Sequence, residues 1–196
     1  MDIILATSNT HKAEEFAKLC PVKLINICAA SEKLEVVEDG ASFLENSFKK
    51  AKAYFDRYQK PILSDDSGLC VAGLPDQLGI ESARFGGVGL SDENRARLLI
   101  TKSLEFSGEQ RSAYFICVLC LYLSEDEIFF FEGRLEGAIA TEYKGEQGFG
   151  YDPVFIPTNG EQQDTLAMLP EFKQEHSHRS KAVKALLSFV GERDCQ

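Results

Sequence analysis

The sequence predicts an α/β fold, a mixed β-sheet flanked by helices, and three observations carry that prediction. Up to residue 64, apolar strand-like runs alternate with amphipathic helical stretches, the pattern of crossover units. Two long β-rich runs, 111–123 and 127–141, are separated only by Ser124-Glu125-Asp126, which reads as a hairpin. Turn-forming residues close the apolar runs, as in Thr7-Ser8-Asn9-Thr10 and Asp65-Asp66-Ser67-Gly68.

Taken in order, residues 2–7 read as a buried strand and 11–20 as a helix with Phe16 and Leu19 inward. A second strand is expected over 23–28, followed by the polar stretch 29–40. A long helix over 41–58 would put Phe43, Leu44, Phe48, Ala51 and Phe55 on one face. A strand at 61–64 runs into an acidic turn. The glycine-rich loop 79–89 precedes a helix over 91–105, with Ser91 as its N-cap. The hairpin carries Phe129, Phe130 and Phe131 on its returning strand, and its length suits an arm or the spine of a second lobe. A loop at 144–150, a short strand near 153–156 and a helix over 178–191 complete the chain.

The bulk properties narrow the class of function. At 196 residues the chain suits one domain, 1–196, with two lobes. No stretch approaches the roughly 20 apolar residues of a membrane-spanning helix. The start Met1-Asp2-Ile3-Ile4-Leu5 lacks a basic region ahead of an apolar stretch, which argues against a signal peptide and for the cytoplasm. A net charge of −10 with dispersed bases excludes a broad basic face for duplex nucleic acid, while a small phosphorylated ligand needs only a local cluster of cations. The six cysteines are scattered and do not form a disulfide framework. Cys117 and Cys120 have the spacing of a metal pair, but an offset of three on a strand sends them to opposite faces, so they read as reduced core residues.

Four segments suit chemistry on a nucleotide, beginning with the acids. In Ser64-Asp65-Asp66-Ser67-Gly68-Leu69, two adjacent carboxylates at a strand end repel each other, and magnesium relieves that repulsion by taking hard oxygen ligands. The same residues also suit a solvated turn. In Thr7-Ser8-Asn9-Thr10-His11-Lys12, a strand passes through a polar turn into a helix start, where backbone N–H groups and the helix dipole collect anions and Lys12 adds a point charge. Plain N-capping by Asn9 or Thr10 is the alternative. On the long helix, Glu45 is spaced to pair with Lys49, or to share a metal with the acidic turn while Lys50 reaches phosphate. In Gly148-Phe149-Gly150-Tyr151-Asp152-Pro153, the glycines allow close approach to a flat ligand, Phe149 or Tyr151 can stack on a base, and Asp152 can read its polar edge. Lys173, His178 and Arg179 follow as donors to an anion or a base carbonyl.

These segments, in this order, resemble the inosine triphosphate pyrophosphatase family, the XTP/dITP diphosphatases. The matching residues are Thr7-Ser8-Asn9 with Lys12, Phe43-x-Glu45-Asn46 with Lys50-Ala51, the Ser64–Leu69 run, Ser82-Ala83-Arg84, Gly148 to Pro153, and Lys173 with Ser177-His178-Arg179. The resemblance covers essentially the whole chain. It departs at Ser8 and Ser180, where glycine is common, and no departure removes a charge. It implies an elongated mixed sheet in two lobes with an active-site cleft between them, a homodimer, and a magnesium-dependent enzyme. Such an enzyme hydrolyses ITP, dITP and XTP to the nucleoside monophosphate and pyrophosphate. By the same resemblance Thr7, Ser8, Asn9, Thr10, His11 and Lys12 hold the triphosphate, with Lys50 and Ser67 also on substrate. Asp66 is the general base and a magnesium ligand, supported by Glu45 and Asp65, and Phe149, Gly150, Tyr151, Asp152, Lys173, His178 and Arg179 surround the base. Two rivals stand beside this reading: a nucleotide-binding module without catalysis, and a serine hydrolase built on Ser67, His178 and an aspartate.

Overall fold

The structure, a computed structural model, describes residues 1–20, 25–158 and 163–193. Its elements are β1 (Asp2–Ala6), α1 (Thr10–Leu19), β2 (Asn26–Ala29), α2 (Phe43–Tyr58), β3 (Ile62–Val71) and α3 (Asp92–Lys102), then β4 (Ser112–Ser124), β5 (Glu127–Ile139), β6 (Phe155–Pro157), α4 (Pro170–His176) and α5 (His178–Arg193). The six strands form one sheet in the order β2-β1-β3-β4-β5-β6. β1 pairs in parallel with β2 and β3, whereas β5 and β6 are antiparallel, so the sheet is mixed as expected. No helix among the described residues is long and apolar enough to cross a membrane.

The chain divides into two compact units, one made of Met1–Ser67, Cys117–Gly133 and Arg179–Gln196, the other of Gly68–Ile116 and Arg134–His178. In the first unit the period-2 alternation of strands builds two cores. Ile3, Leu5, Leu63, Cys117 and Leu119 pack against Phe16 of α1 and Ala182, Val183 and Leu186 of α5. Ala6, Ile62, Cys120 and Tyr122 pack against Ala51 and Tyr54 of α2. Cys117 and Cys120 therefore lie in different cores, as their spacing requires. Cys20 is buried too, Cys28 is exposed, Cys70 is half-buried, and Cys195 lies outside the described residues. The second unit has one core, in which Leu69 and Val71 of β3, Leu99 of α3, Phe115 of β4, Leu135 of β5 and Phe155 of β6 meet.

Local chemistry sets the helix ends. Ser42 caps α2 by accepting from the Glu45 N–H, and Gln59, at φ 50°, ends it in the left-handed region. Ser91 caps α3 as expected, accepting from Asn94 N–H. That helix stops at Lys102 rather than 105, where Arg111 takes the Ser103 carbonyl at 2.6 Å. The inward face of α2 differs from the apolar count: Leu44 is exposed, while Asn46, Ser47, Ala51 and Tyr54 are buried. Polar residues go inside there because each has a partner, Asn46 accepting from the Gly40 N–H and the Ser47 carbonyl from the Ser64 hydroxyl. α4, opened by Pro170 at its first position, was not expected from the sequence. The start of the strand expected over 23–28 lies outside the described residues, and β2 occupies Asn26–Ala29.

The largest correction concerns the acids. Asp65 and Asp66 are not in a turn after a short strand; both lie inside β3, which runs on to Val71. Two adjacent carboxylates are tolerated in this strand because alternation sends them to opposite faces of the sheet, with Asp65 ion-paired to Lys12 and Arg179 while burial favours the neutral form of Asp66.

Candidate active site

In the first unit, the register of β1 on β3 sets Ala6 beside Ser64. The turn leaving β1 therefore lies beside the two acids that follow Ser64 within β3, at the carboxyl end of β1, and such strand ends are the usual place for ligands in α/β sheets. Asn9 caps α1: its side chain accepts from the Lys12 N–H at 3.1 Å, and the Thr7 hydroxyl accepts from the Asn9 N–H at 3.2 Å. The capping alternative is therefore what Asn9 does at this helix start. Ser8, Asn9, Thr10 and His11 are exposed on it, and Lys12 reaches back to Asp65 with Nζ 2.8 Å from Oδ2.

β3 alternates as Ile62, Ser64 and Asp66 toward α2, and Leu63, Asp65 and Ser67 toward α1 and α5. Asp65 is 1% exposed and meets Lys12 and Arg179, the latter at 3.4 Å. Burial alone would raise its pKa, but the charges of Lys12, Arg179 and Lys50 outweigh burial and hold the carboxyl well below the usual range. Asp66 behaves oppositely. Burial pushes its pKa up to about 6, against the pull of Lys50 and Lys12, with Glu38 and Asp65 adding to the rise. Its Oδ1 accepts from the Ser67 N–H at 3.0 Å, while its buried Oδ2 has no hydrogen-bond partner among the described residues. A buried carboxylate oxygen left open beside two lysines is costly unless a ligand completes it.

Lys50 supplies one of those lysines. It donates to the Asp65 carbonyl at 2.9 Å and pairs with Glu38 at 3.1 Å. Glu45, expected beside the acids, is exposed and spends its carboxylate on the Ala41 N–H at 2.8 Å, closing the start of α2. Its expected pairing with Lys49 does not form either, since Lys49 goes to Asp39. Glu38 is the residue the sequence reading missed. A signal existed in Glu38-Asp39-Gly40, a second acidic pair with glycine just ahead of a capped helix. Among the described residues no group of three or more His, Cys, Asp or Glu side chains is placed to hold a metal ion, so the expected trio of Glu45, Asp65 and Asp66 is not assembled. What is assembled suits a magnesium ion that takes one or two carboxylates and completes its shell with substrate oxygens: Asp66 Oδ2 open, and Glu38 facing the same lysine.

Arg179 departs from its expected place around a base. It is 1% exposed in the first unit, donating to Glu15 at 2.5 Å and to the Ser67 hydroxyl at 3.0 Å. Ser67 also donates to Asp65. The Asp65 carboxylate that accepts from this hydroxyl is held well below the usual range by Lys12 and Arg179 and is a weak base, so it activates Ser67 poorly as a nucleophile.

The second unit holds the aromatic loop. Gly148 and Gly150 have φ of 81° and 61°, the left-handed region that glycine enters freely, and a Cβ on Gly148 would lie 2.1 Å from Asp152 Oδ2. That oxygen accepts from the Phe149 N–H at 2.8 Å and from Lys173 Nζ at 2.7 Å. The Lys173 ammonium also sits 4.6 Å from the centre of the half-buried Phe149 ring. Tyr151, expected as an alternative stacking residue, is instead part of the core and donates its hydroxyl to the Ser82 carbonyl at 2.6 Å. His178 is buried and stacked on Phe115, with centroids 4.8 Å apart and planes at 11°.

Known proteins resemble this chain along nearly its whole length. The chain is 38% identical over 194 residues to the dITP/XTP pyrophosphatase of Aquifex aeolicus (strain VF5), covering 95% of each chain. It is 40% identical over 192 residues to that of Legionella pneumophila (strain Lens), covering 96% of this chain and 98% of the other. Among solved structures, the Staphylococcus aureus Ham1 protein superposes with a TM-score of 0.86 at 34% identity, over 98% of this chain and 100% of that one. The HAM1 protein of Coxiella burnetii gives the same TM-score at 33% identity, over 98% and 99%. Residues 3–189 match the model of the Ham1 family, and the chain belongs to that family.

Proposed function

We propose that this protein hydrolyses the purine nucleoside triphosphates ITP, dITP and XTP to the nucleoside monophosphate and pyrophosphate. The observation that carries the reading is Asp66, a buried carboxylate with a raised pKa and an open oxygen, next in the chain to the Asp65 that Lys12 and Lys50 contact. Such a group is a base placed where a polyanion is attracted. The relatives named dITP/XTP pyrophosphatase support the substrate class.

In this reading the start of α1 and Lys12 bind the triphosphate, and Lys50 neutralises it further. Asp65 and Glu38 hold these lysines in place. Asp66 takes the proton of the water that attacks the α-phosphorus, and pyrophosphate leaves. Asp66 and Glu38 would hold magnesium, which would supply charge neutralisation for the triphosphate. Phe149 stacks on the base, while Lys173 and His178 donate to its 6-oxo group. Adenine, with an amino group there, leaves those donors unpaired, at a cost of about 1–3 kcal/mol each. A homodimer in the cytoplasm accompanies the same reading.

A panel of nucleoside triphosphates with a pyrophosphate readout tests it. ITP and XTP are expected to be turned over with kcat/KM far above that of ATP, and hydrolysis of ITP in ¹⁸O-water is expected to label IMP. Equal kcat/KM for ATP and ITP, or label in orthophosphate with IDP formed first, contradicts it. A nucleotide that binds and stays intact with magnesium favours the non-catalytic alternative.

A further inference from the structure

The loop that carries Phe149 has glycine on both sides, so its own backbone does little to hold the ring in place. One of its N–H groups is satisfied locally, Phe149 to Asp152. The next is not: the Gly150 N–H donates at 3.2 Å to Oδ2 of Asp92, a residue 58 positions away. Asp92 opens α3, where Ser91 already caps the helix by accepting from Asn94, so the Asp92 carboxylate is left to reach another segment. The helix beneath it is rigidly seated. Ala96 and Leu99 are in the core, and the buried Arg95 donates to the carbonyls of Phe85, Gly87 and Leu90. A second tie runs from the same helix to the segment leading into the loop, with the Arg97 guanidinium 4.5 Å from the centre of the Tyr143 ring.

We infer that Asp92 is a positioning residue for base recognition: it fixes the Phe149–Gly150 peptide and so orients the stacking ring, a role that rests on the pyrophosphatase reading above. Nothing in this role touches the phosphates or the proton transfer, so its loss falls on substrate affinity rather than on the chemical step. The full-length protein and its Asp92→Ala and Asp92→Asn variants separate the possibilities. Asp92→Ala is expected to raise KM for ITP by about 3- to 20-fold, with kcat within about 2-fold and melting within a few degrees. Asp92→Asn keeps an oxygen acceptor in place and is expected to hold KM within about 2-fold of the parent. Hydrogen exchange at the Gly150 amide gives a second readout that needs no turnover: faster in Asp92→Ala, at the parent rate in Asp92→Asn. Unchanged exchange and KM in Asp92→Ala, or an Asp92→Asn protein as impaired as the alanine variant, overturns the role. Absence of pyrophosphate release by the parent protein overturns the pyrophosphatase reading instead, and the exchange rates then decide the positioning of the loop alone.

Discussion

At the scale of single residues, Asp65 and Asp66 show how one strand makes two different carboxylates. Asp65 faces Lys12 and Arg179 and stays ionised, so its stabilising contribution is fully present above the ordinary carboxylate pKa and is lost only in strong acid. Asp66 has a folded pKa raised from 3.8 to about 6, so the fold prefers its neutral form. Its effect has the opposite sign: stability is greatest below 3.8, falls as pH rises toward 6, and is level above that. Asp66→Asn, neutral at nearly the same shape, is therefore expected to abolish turnover and yet to melt higher than the parent at pH 7.5. The difference should be up to about 3 kcal/mol and should close near pH 4. Denaturant unfolding at both pH values checks this, and an equal difference at each removes the buried charge as the cause. The pH profile of kcat/KM for ITP, which reports the free enzyme, should fall in acid as Asp66 protonates near pH 6.

At the scale of elements, α2 and the segment before it divide two glutamates between structure and chemistry. Glu45 belongs to the helix start, where it holds the Ala41 N–H, and Glu38 belongs to the charged cluster through Lys50. Glu45→Gln is expected to lose part of a capping contact, of the order of 0.5–1 kcal/mol by thermal melting, and to keep the magnesium dependence of the parent. Glu38→Gln is expected to melt like the parent but to need roughly 5- to 10-fold more magnesium for half-maximal rate. The reverse pattern in a magnesium titration would return Glu45 to the metal. β3 gives the same lesson in a strand. Its first residues pack hydrophobic side chains on both faces at Ile62 and Leu63, and the same alternation then gives Asp65 two ion pairs and leaves Asp66 buried without one.

At the scale of the whole molecule, the net charge of −10 sets the outer field, while the cations that matter are gathered at one site around Asp65 and Asp66. Retardation of duplex DNA in a gel at physiological salt is expected to be absent, and a salt-dependent shift would mean a basic face the charge distribution does not provide. Much of the architecture was legible beforehand. The hairpin boundaries fell within two residues because Glu125-Asp126 punctuates two long β-rich runs, and α1 and α2 followed from their apolar periods. The motifs that carry the family resemblance, Asp65-Asp66, the turn before Lys12 and the loop around Phe149, were also local and readable. Three things were not. Adjacent acids look like a turn until Lys12 and Arg179, distant in the chain, neutralise one of them inside a strand. Glu38 has no periodicity to mark it, because it precedes the helix rather than lying on it. Tyr151 looks like a stacking residue until the core takes its ring and Ser82 its hydroxyl. By itself, then, the sequence determined most of the elements and the chemical inventory, since those depend largely on near neighbours in the chain. Only the tertiary structure decided which carboxylate meets which cation, because that depends on strand register, alternation of faces and contacts between residues far apart in sequence.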